Sequence, residues 1–379
     1  MTNRDIESRI DRLPQERQEV FKERIAPIKE ELENQLKERH RGDIENQIKS
    51  DESELSDFNV VVSCFLGHDT TSYRFIRTEP LIHLKEKNFD VLIAAPEKNI
   101  VVLVEIERTL LNRLPSKLSR FEGKMDVVQS DGEDVDVDVD SYLEQIINTT
   151  PEAFDFVLSS QFLDSSDLEN EAQNRGLNFV AWLLASQGNE CRVQNFTIKE
   201  RKEAPFDGHT DGELDRYIDT VLASAVEKVD YLSFTHSSSK YVKLRDMAIP
   251  LVNRYQREAE DPTWDYEDWR RLFGSEVDLQ NYLEDEKRTI FENFVGYGMD
   301  CGAVGKEEDL GGKFTNRYKI KTQATKSQEI LVDELMQKMA EHRMQGDFKA
   351  ALNEEKNRIV TELERDHATG GYTLDDFPK

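Results

Sequence analysis

The chain has little cysteine, little histidine, a shortage of positive charge and no long apolar run. Each shortage excludes something. Cys64, Cys191 and Cys301 are the only cysteines among 379 residues. They lie far apart and form no C-x-x-C pair, so neither a disulfide framework nor a zinc knuckle is expected, and a reduced, cytoplasmic compartment fits. The seven histidines fall in no H-E-x-x-H or similar spacing, which argues against a zinc enzyme. There is no G-x-S-x-G elbow and no Walker loop. GYGMDCGAVG has the glycines of a nucleotide loop but lacks the preceding apolar strand and the G-K-[ST] ending. No apolar run approaches ~18 residues, so no membrane span is expected, and MTNRDIESRIDRLPQER is too charged for a signal peptide. Lysine and arginine number 50 against 77 acids, a net charge of −27. That balance weighs against a duplex-binding protein unless the host proteome is acidic throughout or a local basic strip exists.

What remains is ample for folding. Hydrophobic residues make up 37% and charged residues 34%, a real core under a heavily charged surface. The length suggests two or three domains. Residues 1–50 read as an exposed helical arm. Ile6, Ile10, Leu13, Val20, Ile25, Ile28, Leu32 and Leu36 recur mostly at spacings of three or four. Such an arm could pair two subunits of a homodimer or pack on its own domain. Residues 51–203 read as α/β. FDVLIAA (89–95), NIVVLVEIE (99–107), AFDFVLSS (153–160), NFVAWLLAS (178–186) and RVQNFTIKE (192–200) are strand-like, with helices over 110–125 and 168–176, the latter ended by Gly176. This is the outline of a mixed sheet with helices on its faces. DGEDVDVDVDSY (131–142) lacks calcium-loop spacing and reads as a solvated acidic loop or edge strand. RKEAPFDGHTDG (201–212) reads as a linker. Residues 212–379 read as mainly helical, starting with a helix over 213–232, and possess a Gly-broken strand pair that suggests a winged-helix-like module near 285–322. KFTNRYKIK (313–321) is basic with interleaved aromatics, which suits either a contact with nucleic-acid backbone or, by preference, an ordinary amphipathic strand. Trp264, Tyr266 and Trp269 suit the core of the helical region.

One stretch carries chemistry. FDVLIAAPEKNIVVLVEIER (89–108) is an apolar pair of strands around the turn PEKN, with acids at the outer ends. Strand alternation puts Glu105 and Glu107 on one side. Counting outward from a turn near 97 sets Asp90 beside 104 or 105. Three carboxylates together must be offset by a proton, by basic side chains or by a cation, and oxygen ligands favour Mg²⁺ or Mn²⁺. Taken singly, Glu105 and Glu107 also suit a solvated strand end paired with Arg108 or Arg120, and Asp90 suits a turn cap.

Asp90 followed by Glu105-Ile106-Glu107 resembles the PD-(D/E)XK, or restriction-endonuclease-like, nuclease superfamily, over about residues 50 to 200. Its motif is an acid at the start of a hairpin and E-x-K near the end of the next strand, with an upstream helix that offers a glutamate. Here Phe89 replaces the usual proline and Glu107 the lysine, an E-x-E variant. The resemblance implies Asp90, Glu105 and the carbonyl of Ile106 as metal ligands, with Glu52 holding a second ion or a metal-bound water. Glu54 and Glu79 compete with Glu52. It also implies Glu107 as the group that orients or deprotonates water, and Lys117 or Lys124 as a lysine moved to the next helix. Lys117 would contact the scissile phosphate, and Arg108, Arg113 and Lys124 would hold nucleic-acid backbone. The implied activity is Mg²⁺-dependent hydrolysis of DNA, in defence or repair and with protein partners of such a complex. The contrasting expectation is a non-catalytic adaptor on the same fold, assembling partners through 3–50 and 326–366.

Overall fold

The structure, a computed structural model, describes residues 3–67, 69–81, 84, 88–108, 113–130, 138–163, 165–196, 208–229, 238–257, 263–273, 279, 281–308, 314–322 and 327–368. Two spatial units arise. One holds Met1–Gln47, Val252–Thr263 and Gly296–Lys379, and the other Ile48–Leu251 and Trp264–Val295. The first helices are α1 (Asn3–Asp11) and α2 (Gln15–Phe65). α2 therefore does not end near residue 50, as the arm reading expects. The apolar run from Phe58 through Phe65 keeps it going, because that run finds a sheet to pack on.

That sheet organises the second unit. Its seven strands lie in chain order: β1 (Arg74–Thr78), β2 (Val91–Ala95), β3 (Ile100–Ile106), β4 (Ala153–Ser160), β5 (Val180–Gln187), β6 (Glu190–Asn195) and β7 (Val226–Glu227). β1, β2 and β3 form an antiparallel meander. β4 and β5 run parallel to β3, and β6 and β7 return antiparallel. Parallel neighbours need crossovers. α3 (Leu114–Gln129) and α4 (Val139–Ile147) supply the first, α5 (Ser165–Arg175) the second. β2 is buried along its whole length and β3 nearly so, as expected for strands covered from both sides. On one face Leu92, Ala94, Val101, Leu103 and Phe156 meet Leu118, Phe121 and Met125 of α3 and Leu143 and Ile147 of α4. On the other, Trp182 stacks on Phe65 of α2 with ring centroids 5.7 Å apart.

Three elements depart from the sequence pattern. Asp138 caps α4, its carboxylate accepting the Ser141 N–H at 2.7 Å, so the end of the Asp/Val run is helical and buries Val139, Tyr142 and Leu143. Residues 131–137 of that run lie outside the described residues, as does most of the linker at 201–212. α6 (Gly212–Thr220) stops well short of 232, because Val226–Glu227 pair with the edge of β6. Sheet pairing overrides local helix propensity there. β1 is five residues with only a weak pattern, and pairing with β2 decides it. α7 (Lys240–Leu251), α8 (Tyr266–Phe273) and α9 (Glu284–Asp300) follow. Trp264 and Trp269 are fully buried against Phe291, as the core reading expects.

In the other unit, β8 (Val304–Glu308) and β9 (Phe314–Ile320) make the expected antiparallel pair, followed by α10 (Gln328–Ala368). Leu13 and Phe21 of the arm pack on Ile359, Val360 and Leu363 of α10, and Arg9 clasps Glu364 at 2.5 Å. Part of the arm's apolar stripe is thus buried within its own chain. No described helix is long and apolar enough to cross a membrane.

Candidate active site

The hairpin β2–β3 pairs from Val91↔Val104 to Ala95↔Ile100. One step further out, the Asp90 N–H donates to the Val104 carbonyl at 3.0 Å, which stands Asp90 opposite Glu105. Asp90 Oδ2 accepts the Ile106 N–H at 2.6 Å. This is the register anticipated by counting outward from the turn. The turn is a tight 3₁₀ segment over Pro96–Lys98, closed by Asn99 in the left-handed region at φ +56°. Asparagine tolerates that conformation.

Val101 and Leu103 of β3 point into the α3 core, and Glu105 and Glu107 continue on the same side. There α3 offers Lys117, Arg120 and Lys124 at spacings of three and four, a single helical stripe. Lys124 Nζ meets Glu105 Oε2 at 2.5 Å. Lys117 Nζ meets Glu107 Oε2 at 2.9 Å. Arg120 bonds Glu107 Oε1 and lies 3.7 Å from Glu105 Oε1. Glu105 and Lys124 are 3% and 6% exposed, so each would be a buried unpaired charge without the other.

Glu105, Glu107, Arg120 and Lys124 line a cavity of about 470 Å³. Its acids are Glu54 and Asp57 of α2, Glu79 after β1, and Asp90, Glu105 and Glu107. Its cations are Arg108, Arg120 and Lys124. Acid outnumbers base, and titration follows. Burial, and then the charge of Glu105, push the Asp90 carboxyl well above the ordinary carboxylate range. Burial raises Glu105 too, against the opposing pull of Lys124. Burial likewise raises Glu54 and Asp57. Glu79 has φ +46°, a costly conformation for a residue with a side chain, and its N–H donates to the Asp90 carbonyl at 2.8 Å.

Of the residues singled out by sequence, Asp90, Glu105, Ile106, Glu107, Arg108 and Lys124 line this cavity. Lys117 reaches Glu107 from outside the lining. Arg113 is exposed just before α3, its carbonyl accepting from Ser116 and Lys117. Glu52 is not brought there: it is exposed and pairs with Arg245 at 2.7 Å. The α2 acids in the cavity are Glu54 and Asp57, three apart on one stripe, whereas Glu52 sits roughly 200° around the helix from Glu54. Sequence reading left Asp57 out. Its signal was the spacing to Glu54 beside buried Phe58. A larger cavity of about 670 Å³, near Pro96 and Glu97 at the turn end of the hairpin, contains none of the expected site residues.

The oxygen donors of Asp90, Glu105 and Ile106 are of the kind hard divalent ions prefer. Among the described residues no three acidic, histidine or cysteine side chains are drawn together as a closed ligand set, and Glu105 and Glu107 turn toward the cations of α3. No family model matches the chain, and neither a curated protein nor a solved structure matches it.

Proposed function

We propose that this chain is a Mg²⁺-dependent phosphodiesterase of the restriction-endonuclease-like kind that hydrolyses DNA. The observation that carries the reading is the meeting of Asp90 and Glu105 across the hairpin, inside a cavity whose lining also holds Lys124 and Arg120. The order of elements supports it: a helix that offers acids, a hairpin, a helix, then a strand parallel to β3. Defence or repair as the setting rests on family analogy alone.

Asp90, Glu105 and the Ile106 carbonyl would hold the ion. The raised Asp90 and Glu105 carboxyls are the groups a divalent charge would drive to the ionised form. Bound Mg²⁺ would supply an activated water and charge neutralisation at the phosphate. Lys124 takes the part of the lysine missing from E-x-E. Its ammonium, which bonds Glu105 at the cavity, would supply positive charge to a phosphate oxygen. Glu107, bonded to Lys117 and Arg120, orders those two cations at the cavity rim.

The test is nicking of supercoiled plasmid in Mg²⁺ or Mn²⁺. Asp90→Ala and Glu105→Ala are each expected to lower the rate by about 100-fold or more. Nicking by both variants at the wild-type rate rejects the reading. The second reading, a non-catalytic adaptor on this fold, is favoured by one observation: the cations of α3 already neutralise Glu105 and Glu107. Absence of metal-dependent cutting, with no metal effect on thermal stability, would select it.

A further inference from the structure

The run Ser159-Ser160-Gln161-Phe162 at the end of β4 is fastened to both walls of the cavity. Ser159 Oγ donates to the Glu105 carbonyl at 3.0 Å, and the Ser159 carbonyl accepts the Glu107 N–H at 2.8 Å. Gln161 Nε2 donates to Asp57 Oδ1 on the α2 wall. Between them, the fully buried Ser160 uses its hydroxyl twice on Phe162, donating to its carbonyl at 3.1 Å and accepting its N–H at 3.2 Å. The backbone of Phe162 is thus held in place, yet the residue is 60% exposed. The other exposed large apolar residues described, Val20, Met299 and Ile330, belong to the other unit.

We propose that Phe162 is a stacking platform for a nucleobase of the strand whose phosphate enters the cavity. This rests on the hydrolytic reading of the site. Its chemistry is separate. A lone ring is too small for a protein-docking patch, which takes a few hundred Å² of contiguous apolar surface. It is the right size for one base face, and stacking tolerates any base. Arg108 and Arg120 at the same cavity give the neighbouring backbone its counter-charge.

The experiment measures binding of a fluorescein-labelled single-stranded oligodeoxythymidylate to the full chain in Ca²⁺ by anisotropy. Phe162→Ala is expected to weaken binding by about 5- to 100-fold. Phe162→Trp is expected to retain affinity and to add tryptophan emission that is quenched on binding. Trp182, Trp264 and Trp269 are fully buried and give a steady background. An oligonucleotide of abasic sites should bind wild type and Phe162→Ala alike. Unchanged affinity for oligodeoxythymidylate in Phe162→Ala, or unquenched added emission, overturns the proposal. Plasmid nicking keeps the two ideas apart. Nicking by wild type with Phe162→Ala binding normally sinks the platform alone. Phe162-dependent binding with no nicking sinks the hydrolytic reading alone.

Discussion

Two buried charge clusters sit in the same unit and solve the same problem differently. In one, Arg77 of β1 meets Glu286 of α9 at 2.9 Å, both almost fully buried. Glu286 also accepts from the Tyr142 hydroxyl and, at 2.7 Å, from the Leu283 N–H, and the Arg77 guanidinium lies 3.8 Å over the Tyr282 ring. One charge of each sign, with its lone pairs and protons used, makes a closed structural lock. In the other, six lining acids face three lining cations around an open cavity, and Asp90 and Glu105 are pushed toward the protonated form. The lock matches its charges one to one, whereas among the described residues that line the cavity acids outnumber bases. Perturbed acids beside a cavity mark a candidate functional site, and a matched buried pair does not.

The comparison can be broken at its strongest point first. Arg77→Ala leaves Glu286 buried without its partner and should cost about 3–5 kcal/mol of stability by denaturant unfolding. Lys124→Met leaves Glu105 buried but near other cations and the cavity, so the expected loss is smaller, about 1–3 kcal/mol. Adding Glu105→Gln to Lys124→Met should recover most of it, and the same rescue should fall short for Arg77→Ala with Glu286→Gln, where one accepting oxygen remains for the Tyr142 hydroxyl and the Leu283 N–H, and the Tyr282 ring loses its cation.

Asp90→Asn sharpens the contrast, because it should stabilise. A carboxyl raised in the folded state keeps a proton that the unfolded chain has already released. The folded form therefore loses stability as pH rises from the ordinary carboxylate range, ~4, through the raised value of Asp90. Asparagine keeps the acceptor for the Ile106 N–H and removes that slope. Its melting temperature should exceed wild type by a few degrees at pH 8, with the difference vanishing toward pH 4, and Mg²⁺ should stabilise wild type but not the variant. The smallest effect is expected of Glu52→Ala, whose ion pair is half exposed: stability within about 0.5 kcal/mol and an unchanged nicking rate.

Much of the site was legible because a strand has a short, rigid period. Two residues along β3 always return to the same side, so Glu105 and Glu107 share a face whatever else the chain does, and a short turn gives the register that sets Asp90 opposite. A helix is less forthcoming. One residue of error turns a side chain by about 100°, so Glu52, Glu54 and Asp57 were indistinguishable until α2 met the sheet. The same rotation separates Lys117, paired at the rim, from Lys124, paired in the interior. α4 and the early end of α6 were hidden for another reason: a capping aspartate and a two-residue edge pairing outweighed the local pattern.

Composition and periodicity alone determined that this is an α/β chain with a hairpin carrying acids at its outer ends, since alternation and turn chemistry act over a few residues. Which helix residues face those acids, and that Phe162 at the end of β4 stands exposed, was decided only in the tertiary structure. Helix rotation and exposure depend on contacts between residues dozens of positions apart, and no local pattern encodes them.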